Sequence, residues 1–421
     1  MKTAACLIAL ALLSIFARAQ SASAAEPKSA TVPITLDHDR VVIDVYLSLP
    51  DGSTKRIRGW VDNGDSELEL SRRVATLLKL DVTCSKDNDY CSAAPPDSVT
   101  IGGMKISLRG IAAAKIPLKT PSAAAVMEAG MSAEITIPST VLRHYDVLVN
   151  FPDREFTLAQ PGTLKFKGVS AKALVNPDYA LIQIPSQIEG KKYNLALDLG
   201  SSISFLFDEV FDGLAAAHPN WPHMTGAVGP ANLWGMPDEA KWKVMRVEHL
   251  HCGPLFLTSV PVVRLPPDWT SFVEKRAGVP TAGTLGSQAL LNYRVGLDYA
   301  HSTVYFDIGS TFKFPDFDVI GLILRPEDDT RFTILGVADF DGKPSVPTGP
   351  DAVQPGDHLV SVDGIPIPDS TMGQAWSLLE GSPAQERKLV VERDGKQIAV
   401  TAQVQHFLGE ATEEPSRVKK K

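Results

Sequence analysis

Two stretches, Trp60-Val61-Asp62-Asn63-Gly64-Asp65-Ser66 and Ala196-Leu197-Asp198-Leu199-Gly200-Ser201-Ser202, decide how this chain is read, the second lying 136 residues after the first. In each, an apolar run delivers an aspartate, and a glycine two residues on lets the backbone turn sharply behind it. A single Asp-x-Gly is an ordinary turn signal and says little. A second matched pair lies downstream. Ile137-Pro138-Ser139-Thr140-Val141-Leu142-Arg143-His144-Tyr145-Asp146-Val147-Leu148-Val149-Asn150-Phe151 overlays, without a gap, Leu285-Gly286-Ser287-Gln288-Ala289-Leu290-Leu291-Asn292-Tyr293-Arg294-Val295-Gly296-Leu297-Asp298-Tyr299. These blocks stand 148 residues apart, so two blocks recur in one order with only loop-length variation, which marks an internal repeat.

Working outward, residues 41–49 alternate as a strand, Asp51-Gly52 turns, and residues 54–61 return as its partner. A helical spacing of apolar residues then covers 68–80. In both halves the downstream block makes a tight turn, a short helix and a returning strand, followed by further strands at 155–158 and 303–306. The repeat therefore predicts two β-rich lobes, 31–160 and 175–310. If the lobes pack about a pseudo-two-fold axis, Asp62 and Asp198 meet. Two carboxylates about 3 Å apart cannot both ionise cheaply, so they share one proton. The ionised one can activate a water while the protonated one donates to a carbonyl, which is peptide-bond hydrolysis without a covalent intermediate. No Gly-x-Ser-x-Gly elbow, His-Glu-x-x-His or Cys–His signature offers a rival chemistry.

Composition agrees. The chain has 421 residues, and 41 Lys+Arg against 49 Asp+Glu give a net charge of −8, which excludes a nucleic-acid binder driven by net charge. The length suggests two or three domains, and 44% apolar with 21% charged residues excludes wholesale disorder. Glycine and proline, at 31 each, disfavour a helical bundle and point to a mostly β, turn-rich architecture. Residues 1–25 carry Lys2 and Arg18 but no acid, an apolar run over 7–16, and small residues at Ala17-Arg18-Ala19 and Ser23-Ala24-Ala25. They read as a cleaved secretory signal. No later stretch is long and apolar enough to span a membrane, so the expected product is periplasmic or secreted, with no integral membrane segment. Cys84 and Cys91 flank a polar loop that a disulfide would close in an oxidising compartment, the alternative being two free thiols. His249, His251 and Cys252 fit strand alternation better than a metal site, and neither metal nor other cofactor is expected.

Composition shifts again after Gly309. Phe314-Pro315-Asp316-Phe317 reads as a linker, residues 332–337 as a strand, Pro355-Gly356 and Asp363-Gly364 as tight turns, 371–379 as a short helix, and 388–404 as a closing hairpin around Arg393-Asp394-Gly395. Residues 408–421 form a polar tail ending in three lysines.

With these residues in view, the duplicated half over 31–310 resembles the retropepsin-like, pepsin-type aspartic peptidases. Their hallmark is Asp-Thr/Ser-Gly followed by an apolar-apolar-Gly motif, and Thr284-Leu285-Gly286 with residues 289–299 looks very similar to that closing segment. The resemblance implies two pseudo-symmetric β lobes, one catalytic aspartate from each (Asp62 and Asp198), and supporting positions at Gly64, Ser66, Gly200, Ser201, Ser202 and Gly286. It also implies flaps over the cleft, for which residues 98–103 and 226–236 are the candidates. Several residues depart from the family pattern. The Thr or Ser that ties the two loops together is Asn63 in one lobe and Leu199 in the other, and Leu199 cannot make that bond. Asp65 adds a like charge that would raise the pair's pKa, and Pro138 stands where Gly286 stands in the second half. Residues 315–407, with Pro355-Gly356-Asp357-x-Leu359 and Val362-Asp363-Gly364, look like a PDZ domain. That likeness implies that the loop Gly321, Leu322, Ile323 and Leu324 holds a peptide's terminal carboxylate while the peptide adds as a strand. The implied protein is an exported aspartic endopeptidase acting on protein or peptide substrates, with C-terminal peptides docking at the PDZ module. The alternatives are a non-catalytic pseudopeptidase that binds extended peptides through cleft and PDZ groove, and a PDZ module that only buttresses the lobes.

Overall fold

In a computed structural model of the chain, the strand Arg40–Ser48 turns at Asp51-Gly52 and returns as Thr54–Asp62 in antiparallel register, Val42 opposite Trp60. Gly52 adopts a φ of 84°, the left-handed conformation that this turn requires. The structure describes residues 26–84, 90–117, 126–309, 316–327 and 329–409. The expected signal (1–25), most of the tail (410–421), and Phe314 and Pro315 of the expected linker lie outside the described residues. Strand accounts for 48% of the structure and helix for 16%, a mostly β fold. Among the described residues, no helix is long and apolar enough to cross a membrane.

The repeat is visible as register. In the first lobe Ile135–Pro138 runs parallel to Thr54–Asp62 and sets Pro138 beside Asp62. In the second, Gly283–Gly286 runs parallel to Lys191–Asp198 and sets Gly286 beside Asp198. The lobes then share a sheet of six strands, in which Asp146–Asn150 pairs with Tyr293–Asp298. Leu148 lies opposite Gly296 there, and these are equivalent positions of the repeat, so the pseudo-two-fold axis passes between them. One continuous apolar core, including Val41, Val61, Leu148's neighbours Val147 and Val149, Leu197 and Leu285, runs through both lobes and fixes them against each other.

The helix expected over 68–80 is shorter than its spacing suggests. Leu68 and Leu70 are both fully buried, and that two-residue period makes Leu68–Glu69 a strand beside Ala114–Pro117. The helix occupies only Arg72–Leu77, with the Ser71 hydroxyl accepting from the Val74 N–H at 3.0 Å as its N-cap. Lobe 2 repeats the pattern with the strand Ser204–Phe207 and the helix Asp208–Ala217.

The C-terminal module is a sheet of Leu322–Pro326, Phe332–Val337, His358–Val362, Glu386–Arg393 and Lys396–Gln403, covered by the helix Met372–Leu379. Thr371 and Gln374 cap that helix reciprocally. Phe317, expected in a linker, is instead fully buried and begins the strand Phe317–Val319, which pairs with Gln405–Phe407. An aromatic side chain with that much apolar surface is driven into the core shared by lobe 2 and the module.

Candidate active site

Each aspartate strand ends by folding its loop back around its own carboxylate. Asp62 Oδ1 accepts the backbone N–H groups of Gly64 (3.0 Å) and Asp65 (3.1 Å). Asp198 Oδ1 accepts those of Gly200 (2.8 Å) and Ser201 (3.0 Å). The two loops also interlock. A Cβ placed on Gly64 would strike the Asp198 carboxyl, and one on Gly200 would strike the Asp62 carboxyl. Only glycine at both positions lets each carboxylate pass the opposite loop, so the carboxylates of the two lobes face one another across the axis.

The tie between the loops is made from one side. Asn63 is fully buried, and its amide donates to the Leu197 carbonyl at 2.7 Å while its Oδ1 accepts the Leu199 N–H at 2.7 Å. One carboxamide has both a donor and an acceptor, so it bridges to lobe 2 without a polar partner side chain at Leu199. Within each lobe the aspartate loop is further held by a bond related by the repeat, Ser139 N–H to Asp65 O in lobe 1 and Ser287 N–H to Ser201 O in lobe 2, both 2.8 Å. Pro138 keeps this geometry where lobe 2 has Gly286, whose closeness to the Ile203 carbonyl leaves no room for a side chain. Of the serines expected to support the site, Ser201 Oγ donates to Ile203 O (2.8 Å) and Ser202 Oγ to Pro230 O (2.8 Å), while Ser66 is held through its own main-chain carbonyl, which accepts from Thr140 Oγ1 (2.7 Å).

Electrostatics follow from burial. Desolvation, then the Asp198 charge, then Asp65 hold the Asp62 carboxyl well above the usual carboxylate range. Burial pushes Asp198 up to about 6, against its backbone hydrogen bonds and the positive charge of Arg40. The pair therefore keeps one proton into the mildly acid range and titrates as a unit. Asp65 is itself tied to Arg276 at 2.9 Å, which sequence spacing gave no reason to expect.

Arg40, which sequence reasoning missed, is 1% exposed and stands 5.8 Å from the centre of the Trp60 ring. It donates to the Leu233 carbonyl, and Asp37, Glu239 and both aspartates surround its charge. It sits in a strand of alternating apolar residues, where nothing local distinguishes a buried arginine from an exposed one.

A cleft of about 520 Å³ opens on the pair. Asp65, Glu67, Glu69, Tyr90 and Lys115 line it from lobe 1, and Phe205, Trp234, Leu265 and Trp269 from lobe 2. A groove of about 640 Å³ elsewhere, with Lys192, Tyr193 and His251 in its wall, includes neither aspartate. Of the two flap candidates, the hairpin around Gly102-Gly103 packs on Ala30 and Val32 and is not part of the cleft wall. The loop 226–236 does contribute, through Leu233 and Trp234. Cys84 and Cys91 are joined by a disulfide at the end of a hairpin whose Tyr90 faces the cleft, and Cys252 is a buried free thiol.

The loop expected to hold a peptide carboxylate is not open. Leu322, Ile323 and Leu324 are fully buried, and the Asn232 side chain from lobe 2 pairs with the edge strand. Its Oδ1 accepts from Leu324 N–H (2.9 Å) and its Nδ2 donates to Leu324 O (3.0 Å). Gly321 is packed against Ser345 and Phe407. The tip of the lobe 1 hairpin, His38, donates to Asn232 O (2.9 Å) and lies 6.3 Å from Trp376 of the module's helix, while Asp37 accepts from Gly373 N–H (2.9 Å). The expected docking edge is thus filled by the protein's own lobes, because an unpaired strand edge with free N–H and C=O groups takes whatever partner the fold supplies.

No family model and no curated protein matches the sequence. Among solved structures the chain is similar to the aspartic proteinase from Irpex lacteus, with 12% identity over 67% of this chain and 98% of that one, at a TM-score of 0.37.

Proposed function

We propose that the protein is an aspartic endopeptidase, exported to an oxidising compartment, which hydrolyses peptide bonds with Asp62 and Asp198. The observation that carries this reading is the reciprocal fit of Gly64 against Asp198 and Gly200 against Asp62, which brings two buried carboxylates together in a cleft. In the proposed reaction the ionised carboxylate removes a proton from a water as it attacks the scissile carbonyl. The protonated partner donates to the developing oxyanion. Return of a proton to the amide nitrogen then releases both halves, and the pair ends with one proton, as it began. The cleft supplies positioning and excludes bulk water.

Export is supported by the residue pattern of 1–25 and by the Cys84–Cys91 disulfide. The C-terminal module, PDZ-like in its motifs, is read as a buttress: Asn232 occupies its edge and His38 bonds to Asn232, which together couple it to the walls of the cleft. The test is cleavage of denatured casein by the mature protein across pH 3–7, with Asp62→Asn and Asp198→Asn as controls. Activity lost in both variants and blocked by a transition-state peptide mimic supports the reading. Silence in the wild type with peptide binding retained would establish the non-catalytic alternative.

A further inference from the structure

The pseudo-two-fold axis places Glu69 and Phe205 at equivalent positions of the repeat, each the second residue of the strand that follows its aspartate loop. Both face the cleft. One wall thus presents a carboxylate where the other presents an aromatic ring, and the symmetry of the fold is broken at this point.

Three lobe 1 carboxylates, Asp65, Glu67 and Glu69, meet two cations at the cleft, Lys115 from lobe 1 and Arg276 from lobe 2. Lys115 Nζ is taken by Glu67 (2.5 Å), and Arg276 by Asp65 (2.9 Å) and Glu67 (3.1 Å). Glu69 is the carboxylate left over. It is 9% exposed, sits between the fully buried Leu68 and Leu70, and its backbone N–H is satisfied by Thr136 Oγ1 (2.8 Å). Among the described residues no donor reaches its side chain, whose neighbours in charge are Asp65, Glu67, Lys115 and Arg276. A nearly buried carboxyl without a partner is unfavourable until a donor or cation completes it. Burial and the two acids push it up to about 8, so in the empty cleft it holds a proton near neutral pH and ionises when a cation arrives. The opposite wall is a slab: Trp234 stacks on Phe205 at 5.6 Å and on Trp269 at 4.6 Å. Such stacked rings accept large apolar side chains.

We infer that the cleft selects peptides carrying a basic side chain against Glu69 and a large apolar side chain against the Phe205–Trp234–Trp269 wall, on opposite sides of the carboxylate pair. This rests on the peptidase reading for the position of the scissile bond, but the binding selectivity stands apart from it. The test uses the full mature chain and uncleavable hydroxyethylene peptide mimics bearing Phe on one side and Lys, Gln or Glu on the other, in both orders, with affinity measured by calorimetry. The Lys mimic in one order is expected to bind at least tenfold more tightly than the Gln mimic, and the Glu mimic more weakly than either. In Glu69→Gln the Lys-to-Gln ratio is expected to fall to about one, while the Gln mimic keeps its wild-type Kd within twofold and so reports an intact cleft. Equal affinity for Lys and Gln mimics in the wild type, or no binding of any mimic, overturns the inference, as does a ratio that survives in Glu69→Gln. Ordinary peptides of the same sequences separate the two claims. Cleavage without a basic preference defeats the subsite alone, and a Lys preference in binding with no cleavage defeats the peptidase reading alone.

Discussion

Removing the Asn63 carboxamide tests the one-sided tie between the lobes. Asn63→Ala leaves the Leu199 N–H and the Leu197 carbonyl without the partners they have at 2.7 Å, at a position with no solvent exposure. Each orphaned buried group costs about 1–3 kcal/mol, so the pair costs roughly 2–6 kcal/mol, less whatever a water in the vacated space recovers. For domains of this size that lowers Tm on the order of 10 °C. The catalytic effect should exceed the stability effect, because the same bonds hold each aspartate loop against the other lobe, and kcat is expected to fall about 100-fold with KM nearly unchanged. The control is Leu158→Ala, in the shared sheet and fully buried, which loses about 2–5 kcal/mol by cavity formation and should keep its kcat wherever it remains folded. Asn63→Asp refines the argument. Its carboxylate can still accept from Leu199 but cannot donate to Leu197, and its charge should move the pair's titration upward. Melting curves and casein or peptide turnover at matched temperature decide the matter. An Asn63→Ala protein with wild-type Tm and kcat, or one no less active than Leu158→Ala, would refute the reasoning.

Other expectations follow from the same geometry. Both aspartates titrate above their unfolded value, Asp198 at about 6 and Asp62 well above the usual carboxylate range, so their contribution to stability is complete below the unfolded carboxylate pKa of about 4 and is lost as pH rises from there through the folded values. Wild-type Tm should therefore fall between about pH 4 and 6 more steeply than that of Asp198→Asn, and superimposable pH–Tm curves would exclude the shifted pair. Gly64→Ala places a methyl group against the Asp198 carboxyl. It should cost at least 100-fold in kcat/KM while circular dichroism remains that of the folded protein, and full activity would show that the loops do not interlock. Asn232→Ala frees both polar groups of Leu324 and removes a donor to Glu239, which should cost about 2–4 kcal/mol. Faster proteolysis of the C-terminal module is the readout, and unchanged protection would remove the buttress role.

How much of this was legible beforehand differs residue by residue. Asp62 and Asp198 could be found because a duplicated gene half repeats its motif and its downstream block together, and equal sequences in equal surroundings fold alike. The β character and the tight turns at Gly52 and Gly364 were readable for the same local reason: turn chemistry acts over three or four residues. The strand Leu68–Glu69 reads as helix in the sequence because it is only two residues long and runs straight into the helical spacing of the following helix Arg72–Leu77, too short a run to show its own period.

The sequence by itself determined the repeat, the mostly β architecture and the identity of the carboxylates, since these depend on local propensity and on order along the chain. Only the tertiary structure decided that Asn63 ties the two aspartate loops from one side, that Arg40 is buried beside the pair, that Arg276 answers Asp65, and that Asn232 closes the module's edge. The hydrogen bonds and ion pair among these join residues from 92 to 211 positions apart, and no local pattern encodes which distant group a buried donor or charge will meet. That pairing is set by how the packed cores bring the walls together, and burial then makes each meeting costly to leave incomplete.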